Sequence, residues 1–518
     1  MFDNPTVQMI VKIAMLVLFF GSMIYVGIIC RKRATDVNGF VLGGRSVGPW
    51  LTAFAYGTSY FSAVIFIGYA GQFGWKFGIA STWIGIGNAL IGSLLAWVVL
   101  GRRTRLITQK LSSATMPDYF GKRFASPSLK IGASIIVFIF LIPYTASLYN
   151  GLSRLFNMAF GIDYVWCIVI MSVLTCIYVV VGGYMATAVN DFIQGIIMLV
   201  GIVAVIAAVL GGQGGFAEAL LKLAGVSSEG TAPGAFASFF GPEPFDLLCV
   251  VILTSLGTWG LPQMIGKFYA IKDERSIKKG AVISTIFAVI VAGGCYFLGG
   301  FGRLFTPDTT SGGAIIYDSI IPRMLENLHV ILIGVVVILV LSASMSTLSS
   351  LVLTSSSTLT LDLIKGNIVK NMKERGQMLT MRIFVVFFVA VSAIIAIVQY
   401  KYNIMAIAQL MGVSWGALAG AFLAPYLYSL YWKRTTKAAT WTCFIFGVGV
   451  MIANMLAKNI FPVWLQSPIN CGAFVMLAGL VIVPVVSLIT PKPDRDFIDS
   501  TFSCYDRTVT AKAKDHLD

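Results

Sequence analysis

The chain has 518 residues, 57% of them hydrophobic and only 11% charged, with a mean hydropathy of +0.86 and a formal net charge of +15. This balance excludes a soluble globule and describes an all-α polytopic membrane protein; a transmembrane barrel would show weak alternation instead of unbroken apolar runs. Nor does the positive charge point to nucleic acid, because the basic residues are spread over short loops between apolar runs, where membrane topology accounts for them.

The apolar runs are roughly 20 residues or longer, the length an α-helix needs to cross a hydrocarbon core of about 30 Å. The first, 7–29, is too long for a secretory signal and lacks a small-residue cleavage site, so it is expected to remain as a helix. Thirteen spans are predicted, centred near residues 18, 60, 90, 143, 173, 200, 255, 290, 342, 390, 417, 447 and 480. An odd number places the termini on opposite sides. With the N-terminus outside and the C-terminus inside, the inside segments 30–47, 101–130, 183–187, 267–280, 358–382, 432–437 and 491–518 hold 29 of the 37 Lys and Arg residues, the asymmetry expected of cytoplasmic loops. The outside loops 213–242 and 303–328 are rich in Gly, Pro and Ser and are expected to carry short surface helices, and the tail after Pro491 to be poorly ordered.

Two spans read as interrupted. The second contains Ala55-Tyr56-Gly57-Thr58-Ser59-Tyr60-Phe61-Ser62, and the seventh Gly257-Thr258-Trp259-Gly260-Leu261-Pro262. A proline inside a helix removes a hydrogen bond and clashes with the preceding turn, and such breaks survive in lipid only where the freed backbone faces protein, a cavity or an ion. The two breaks are five spans apart, as first members of spans two to six and seven to eleven. A repeat of five spans must be inverted in the membrane, the layout that places substrate and coupling ions between two discontinuous helices. The expected divisions are an extra N-terminal helix and loop (1–47), a first five-helix repeat (48–212), an outside loop (213–242), a second repeat (243–431), two extra helices (432–490) and a cytoplasmic tail (491–518).

The sixth span opens with the stretch from Gly182 to Gly195, within which Asp191 follows Asn190 and precedes some twenty residues without another charge. An acid there is either a helix-terminal cap or part of an ion path. The ninth span holds the hydroxyl run Ser342-Ala343-Ser344-Met345-Ser346-Thr347-Leu348-Ser349-Ser350. Ala343, Ser346 and Thr347 stand at i, i+3 and i+4, so one carbonyl and two hydroxyls converge on one helix face. Such hydroxyls also bond back to their own helix or join helices together. Asn88, Asn150 and Gln409 read as helix–helix hydrogen bonds. Eight cysteines without paired spacing in an outside loop suggest neither disulfides nor a zinc site, and no nucleophile–base pair, metal cluster or phosphate loop points to an enzyme.

These residues resemble the sodium:solute symporters. The resemblance covers about 5–490 and is most specific at Leu42-Gly43-Gly44-Arg45-Ser46-Val47-Gly48-Pro49, at Thr115-Met116-Pro117-Asp118-Tyr119-Phe120, from Gly182 to Gln194, and at Met345-Ser346-Thr347-Leu348-Ser349. It implies a LeuT-type 5+5 inverted repeat with one extra N-terminal and two extra C-terminal helices. It also implies a Na⁺ site made by backbone oxygens of Thr58 and Phe61, the Ala343 carbonyl and the hydroxyls of Ser346 and Thr347, with Asp191 on the ion's exit path. The solute would lie among Tyr60, Ser62, Gln72, Tyr144, Thr254, Thr258 and Pro262. Proline carriers of the family usually have an acid where this chain has Tyr60 and aromatics where it has Thr254 and Thr258, whereas Ser59 to Ser62, Asn190-Asp191 and Gly260 to Pro262 look closer to the pantothenate branch.

The expected function is therefore Na⁺-coupled import of a small organic solute, an amino acid such as proline or a carboxylate such as pantothenate, across a plasma membrane by alternating access. The lipid bilayer and the solute are the expected partners, with no nucleic acid and no obligate protein partner implied, and a bacterial inner membrane is the expected location. An uncoupled or proton-coupled facilitator and a transporter-like sensor are the alternatives. A channel would need a continuous polar pore where the sequence shows isolated polar clusters, and the tail of about 28 residues is too short for a signalling domain.

Overall fold

The computed structural model describes residues 5–30, 36–310, 312–365, 367–369, 371–402 and 406–506. Among them the chain is all-helical, with isolated β-bridges and no strand. Arg31, Lys32, Arg33, Lys370 and the segment 507–518, which the charge asymmetry uses, lie outside the described residues. Eleven helices are long and apolar enough to cross a membrane, and a twelfth span arises if Pro244–Gly260 and Pro262–Tyr269, bent by 46° at Leu261, are taken together. The difference from thirteen lies in one continuous helical stretch, Val64–Lys110, of 47 residues. At 1.5 Å per residue it would be about 70 Å long if straight, twice a bilayer core. It turns at Gly78, whose φ of +62° favours glycine and whose added Cβ would stand 2.0 Å from the Phe236 carbonyl oxygen.

The two helices at the centre of the molecule are Val330–Ile364 and Ile407–Tyr431, the most enclosed of the spans, while Thr6–Cys30 is the least enclosed. Val330–Thr358 packs against Pro127–Phe160, Tyr164–Gly212 and Pro49–Tyr60. The last of these is the first half of the first interrupted span, which resumes as a π-helical turn Val64–Tyr69 and continues as Ala70–Phe77. Spans five and six join without a loop: the helix Tyr164–Gly212 is broken at Gly183 (φ +55°), which packs on Phe40.

Short helices do occur in both loops expected outside, Phe216–Ala224 and Ile320–Leu325. The tail departs from expectation. Arg495–Phe502 is a helix capped by Asp494, whose carboxylate accepts from the Phe497 N–H at 2.8 Å, and Phe502 and Cys504 are buried against the body. The sequence pattern missed this because only one apolar turn, not a full amphipathic face, holds the helix down.

Candidate functional site

The first interrupted span loses its helix for a physical reason visible residue by residue. Phe61 donates to the Gly57 carbonyl at 3.2 Å, then turns to extended backbone (φ −86°, ψ 128°), and the helix restarts when the Ser62 carbonyl accepts from Ile65 and Phe66, both at 3.0 Å. The carbonyls left over face the ninth span. Thr347 Oγ1 lies 3.3 Å from Thr58 O, 3.3 Å from Ser59 O, 3.2 Å from Phe61 O and 3.1 Å from Ala343 O. One hydroxyl proton serves one acceptor at a time, so the three carbonyls freed at the break compete for it with Ala343 O, which its own helix also bonds. Ser346 Oγ donates to Thr58 Oγ1 at 2.7 Å, and Thr58 Oγ1 donates to the Phe54 carbonyl at 2.8 Å. Thr58, Phe61, Ala343, Ser346 and Thr347 thus come together, and Ser59 adds a carbonyl that the sequence reading did not assign. Neutral oxygens outnumbering protons in a buried cluster fit a hard cation.

Two glycines set the approach of the helices here. A Cβ on Gly57 would stand 2.5 Å from the Phe287 ring, and one on Gly195 would stand 2.2 Å from Phe54 and 3.1 Å from the Thr58 methyl. Asp191 is one turn before Gly195, so its carboxylate lies on the face of that helix turned to the break, beside Ser346. Its partner corrects the sequence reading. Lys267, counted among the inside-loop basic residues, is 3% exposed on the helix Pro262–Tyr269, and its ammonium stands 3.7 Å from Asp191, itself 0% exposed. Lys267 Nζ also donates to Ser350 Oγ at 2.9 Å and lies 5.3 Å from the centre of the Tyr184 ring. Ser350 Oγ meets Ser59 Oγ at 2.8 Å. Sequence patterning placed the boundary of the seventh span just before Lys267; the signal that could have moved it is Gln263, four residues earlier on the same helical face and also buried.

The hydroxyl run divides into two groups. Ser349 Oγ bonds back to the Ser346 carbonyl at 2.8 Å, the ordinary behaviour of serine in a membrane helix. Ser344 and Ser350 instead reach the first interrupted span, the Ser344 hydroxyl accepting from the Ala63 N–H at 3.3 Å.

The residues expected around the solute are only partly assembled. Tyr60 and Tyr144 both pack on Trp415, with ring centres 5.9 and 5.8 Å away, and Ser62 neighbours Tyr144. The Ser62, Tyr69, Tyr144 and Tyr296 hydroxyls and the Trp415 indole N–H are buried without hydrogen-bond partners, so an aromatic cluster with uncommitted polar tips lies beside the first break. Trp415, Tyr69 and Tyr296 were not among the expected residues, because an aromatic on an apolar span reads as packing. The Thr254 and Thr258 hydroxyls are committed to backbone, donating to Val250 O at 2.8 Å and to Ser255 O at 2.8 Å, with the Thr258 hydroxyl also 3.2 Å from Gly92 O. The Thr254 carbonyl, however, accepts from the Tyr60 hydroxyl at 3.3 Å, so Tyr60 and Thr254 do meet. Gln72 sits on Ala70–Phe77, well past the break, with its carbonyl oxygen buried and unpartnered. Pro262 lines a separate small crevice of about 40 Å³ with Gln263, Lys267, Tyr184 and Ser350.

The remaining motif residues build the scaffold. Arg45 is buried and donates to Ser113 O at 2.7 Å and to Tyr269 O at 3.3 Å, tying the turn that precedes the first interrupted span to the end of the second. Thr115 caps Met116–Arg123, accepting from the Asp118 N–H at 3.1 Å, and donates to Asp362 Oδ2 at 2.6 Å, while Lys130 pairs with Asp118 at 2.8 Å. Asn88 and Asn150 accept from Ser255 and Tyr164 of other helices, as expected of them. At the far end of the molecule burial holds the Asp318 carboxyl above its ordinary range, against the pull of Arg154 at 3.7 Å.

Residues 40–447 match the sequence model of the sodium:solute symporter family. The osmoregulated proline transporter OpuE of Bacillus subtilis is 29% identical over 493 residues, 92% of this chain and 94% of that one. The sodium/proline symporter of Staphylococcus aureus is 28% identical over 510 residues, 92% and 93% of the two chains. A Na⁺-coupled sialic acid symporter, solved in a substrate-bound outward-open state, superposes with a TM-score of 0.71 at 16% identity, over 93% of this chain and 99% of that one, which establishes a shared fold.

Proposed function

Because this chain belongs to the sodium:solute symporter family, we propose that it is a Na⁺-coupled symporter that imports a small carboxylate-bearing solute across the plasma membrane, with proline and pantothenate as the two candidates. The transporter relatives make it a multi-pass membrane carrier and not an enzyme, with Na⁺ as the coupling ion implied by the family. The bacterial relatives favour a bacterial inner membrane, and their named solute favours proline. Tyr60, Thr254 and Thr258, where proline carriers usually differ, keep pantothenate in contention.

The observation that carries the reading is the Thr347 hydroxyl among four carbonyl oxygens. In the proposed site Na⁺ takes oxygens of Thr58, Phe61, Ala343, Ser346 and Thr347, and joins the first interrupted span to the ninth. Asp191, one turn from the cluster, draws the ion toward the cytoplasm. The same linkage orders Tyr60 and Ser62, two and four residues after Thr58, so ion and solute affinities are reciprocally coupled. Gln72, Tyr144, Thr254, Thr258 and Pro262 complete the proposed solute path. Splitting Val64–Lys110 at Gly78 and joining 64–77 to Pro49–Tyr60 supports thirteen spans, with the two breaks heading inverted repeats 48–212 and 243–431, the N-terminus outside and the C-terminus inside.

At a membrane potential of ~100 mV, one inward Na⁺ charge supplies about 2.3 kcal/mol, enough for roughly fiftyfold accumulation before any Na⁺ gradient is added. The test is uptake of radiolabelled proline and pantothenate into proteoliposomes of the purified chain. An inward Na⁺ gradient is expected to drive one of them, and a K⁺ gradient neither. Uptake that a proton gradient drives equally well without Na⁺ would replace this reading with proton coupling.

A further inference from the structure

The pair Lys267–Asp191 asks what a lysine is doing deep in the ion path. Two opposite charges in a membrane interior are retained at a cost, and removing one partner leaves the other uncompensated. Yet the pair is loose. At 3.7 Å the ammonium is beyond hydrogen-bonding distance of the carboxylate, and both Asp191 oxygens are without a hydrogen-bond donor. The short contact of Lys267 is to Ser350, at 2.9 Å. From there a chain of contacts runs to the ion ligands: Ser350 to Ser59 at 2.8 Å, and the Ser59 carbonyl to Thr347 at 3.3 Å. Lys267 also faces the crevice formed with Tyr184, Gln263 and Ser350, which gives its side chain a polar place other than Asp191. The amide of Gln263, one turn before it, is buried with neither oxygen nor nitrogen partnered.

We propose that Lys267 is a tethered cation that exchanges with Na⁺ for Asp191: it neutralises the carboxylate when the ion has moved on, and swings toward Ser350 and Gln263 when the ion is there. This rests on the Na⁺-symport reading above and adds to it a residue that sets ion affinity and release. Its physical content is charge balance. A site of neutral oxygens leaves the full charge of Na⁺ to be offset by Asp191, and Lys267 cancels that offset. Without the lysine, the ion would be held too firmly to leave; without the aspartate, the lysine would repel it.

The experiment is equilibrium binding of radiolabelled Na⁺ to the purified full chain, with dissociation followed after dilution. Lys267→Met is expected to bind Na⁺ roughly tenfold more tightly than the wild type and to release it more slowly, within the usual range of coupling between linked sites. Asp191→Asn is expected to bind about tenfold more weakly, and Asp191→Asn/Lys267→Met to return to within about threefold of the wild type, because the balance of charge is restored. A merely structural lysine would lower Na⁺ binding and thermal stability together, with no recovery in the double variant. Unchanged or weaker Na⁺ binding by folded Lys267→Met overturns the proposal. Should that variant not fold, the comparison moves to Asp191→Asn against the double variant, whose neutral pair is tolerated in a core; equal Na⁺ affinity of those two overturns it as well. A wild-type chain with no saturable Na⁺ binding would sink the symport reading itself, whereas saturable binding with variants that ignore the charge balance sinks this inference alone.

Discussion

The two interrupted spans break in different ways. At the first, around Phe61 and Ser62, the freed carbonyls of Thr58, Ser59 and Phe61 converge with Ala343 on the single hydroxyl of Thr347. At the second, around Leu261, the side chains next to the break are spent on neighbouring backbone: Trp259 Nε1 donates to Ile91 O at 3.0 Å, Thr258 Oγ1 lies 3.2 Å from Gly92 O, and Gly260 is pressed against Ala419 and Leu423. One break gathers more acceptors than donors on a single hydroxyl; at the other, Thr258 and Trp259 are anchored to the backbone of a neighbouring span. The difference teaches that helix interruption by itself does not make an ion site. What matters is whether freed oxygens converge on one point with too few protons between them, as they do around Thr347 at the first break.

The largest effect that would break this comparison is at Thr347. Removing its hydroxyl deletes one proposed ion oxygen and the side-chain donor that the four carbonyls share, a loss on the order of 2 kcal/mol, or roughly thirtyfold in half-saturation by Na⁺. Thr347→Ala should show that shift in radiolabelled Na⁺ binding, while Thr347→Ser, which keeps the hydroxyl, should not. Equal Na⁺ affinity in Thr347→Ala and the wild type would mean that the cluster is a packing device like the second break.

The second break is sharpened by Gly260→Ala. The added Cβ would meet Ala419 Cα at 2.7 Å and Leu423 N at 2.9 Å, both backbone atoms that cannot swing aside. Overpacking of this kind costs about 1–3 kcal/mol, so the thermal midpoint should fall. Half-saturation by Na⁺ should move little, since the anchored break contributes none of the proposed ion oxygens. A large loss of Na⁺ affinity with an unchanged midpoint would reverse the roles assigned to the two breaks.

How far the sequence reaches follows the same division. The first break, the ninth-span hydroxyls and Asp191 were legible because each is a polar exception inside an apolar run, and the i, i+3, i+4 spacing of Ala343, Ser346 and Thr347 fixes their common face. Lys267 was not, because a lysine at the edge of an apolar run reads as a loop residue, and its burial depends on Asp191 from another helix. Trp415 and Tyr296 escaped for the opposite reason: nothing local separates an aromatic that packs from one whose polar tip is left unpartnered. The turn at Gly78 falls between the second and third predicted spans, although helix resumes on both sides of it without a polar loop.

The smallest expected effect is at Ser349, and it tests the rule from the other side. Ser349 belongs to the same hydroxyl run as Ser346 and Thr347, but its Oγ donates to the Ser346 carbonyl at 2.8 Å, within its own helix. Ser349→Ala removes a bond that competes with the helix ladder and gains helix propensity, so stability should stay within about 0.5 kcal/mol. Half-saturation by Na⁺ should stay within about twofold of the wild type, which is less than 0.5 kcal/mol. If Ser349→Ala instead weakened Na⁺ binding as much as Thr347→Ala, the hydroxyl run would act as one continuous polar surface. Facing the freed carbonyls of the first break would then no longer be what distinguishes an ion ligand from helix glue.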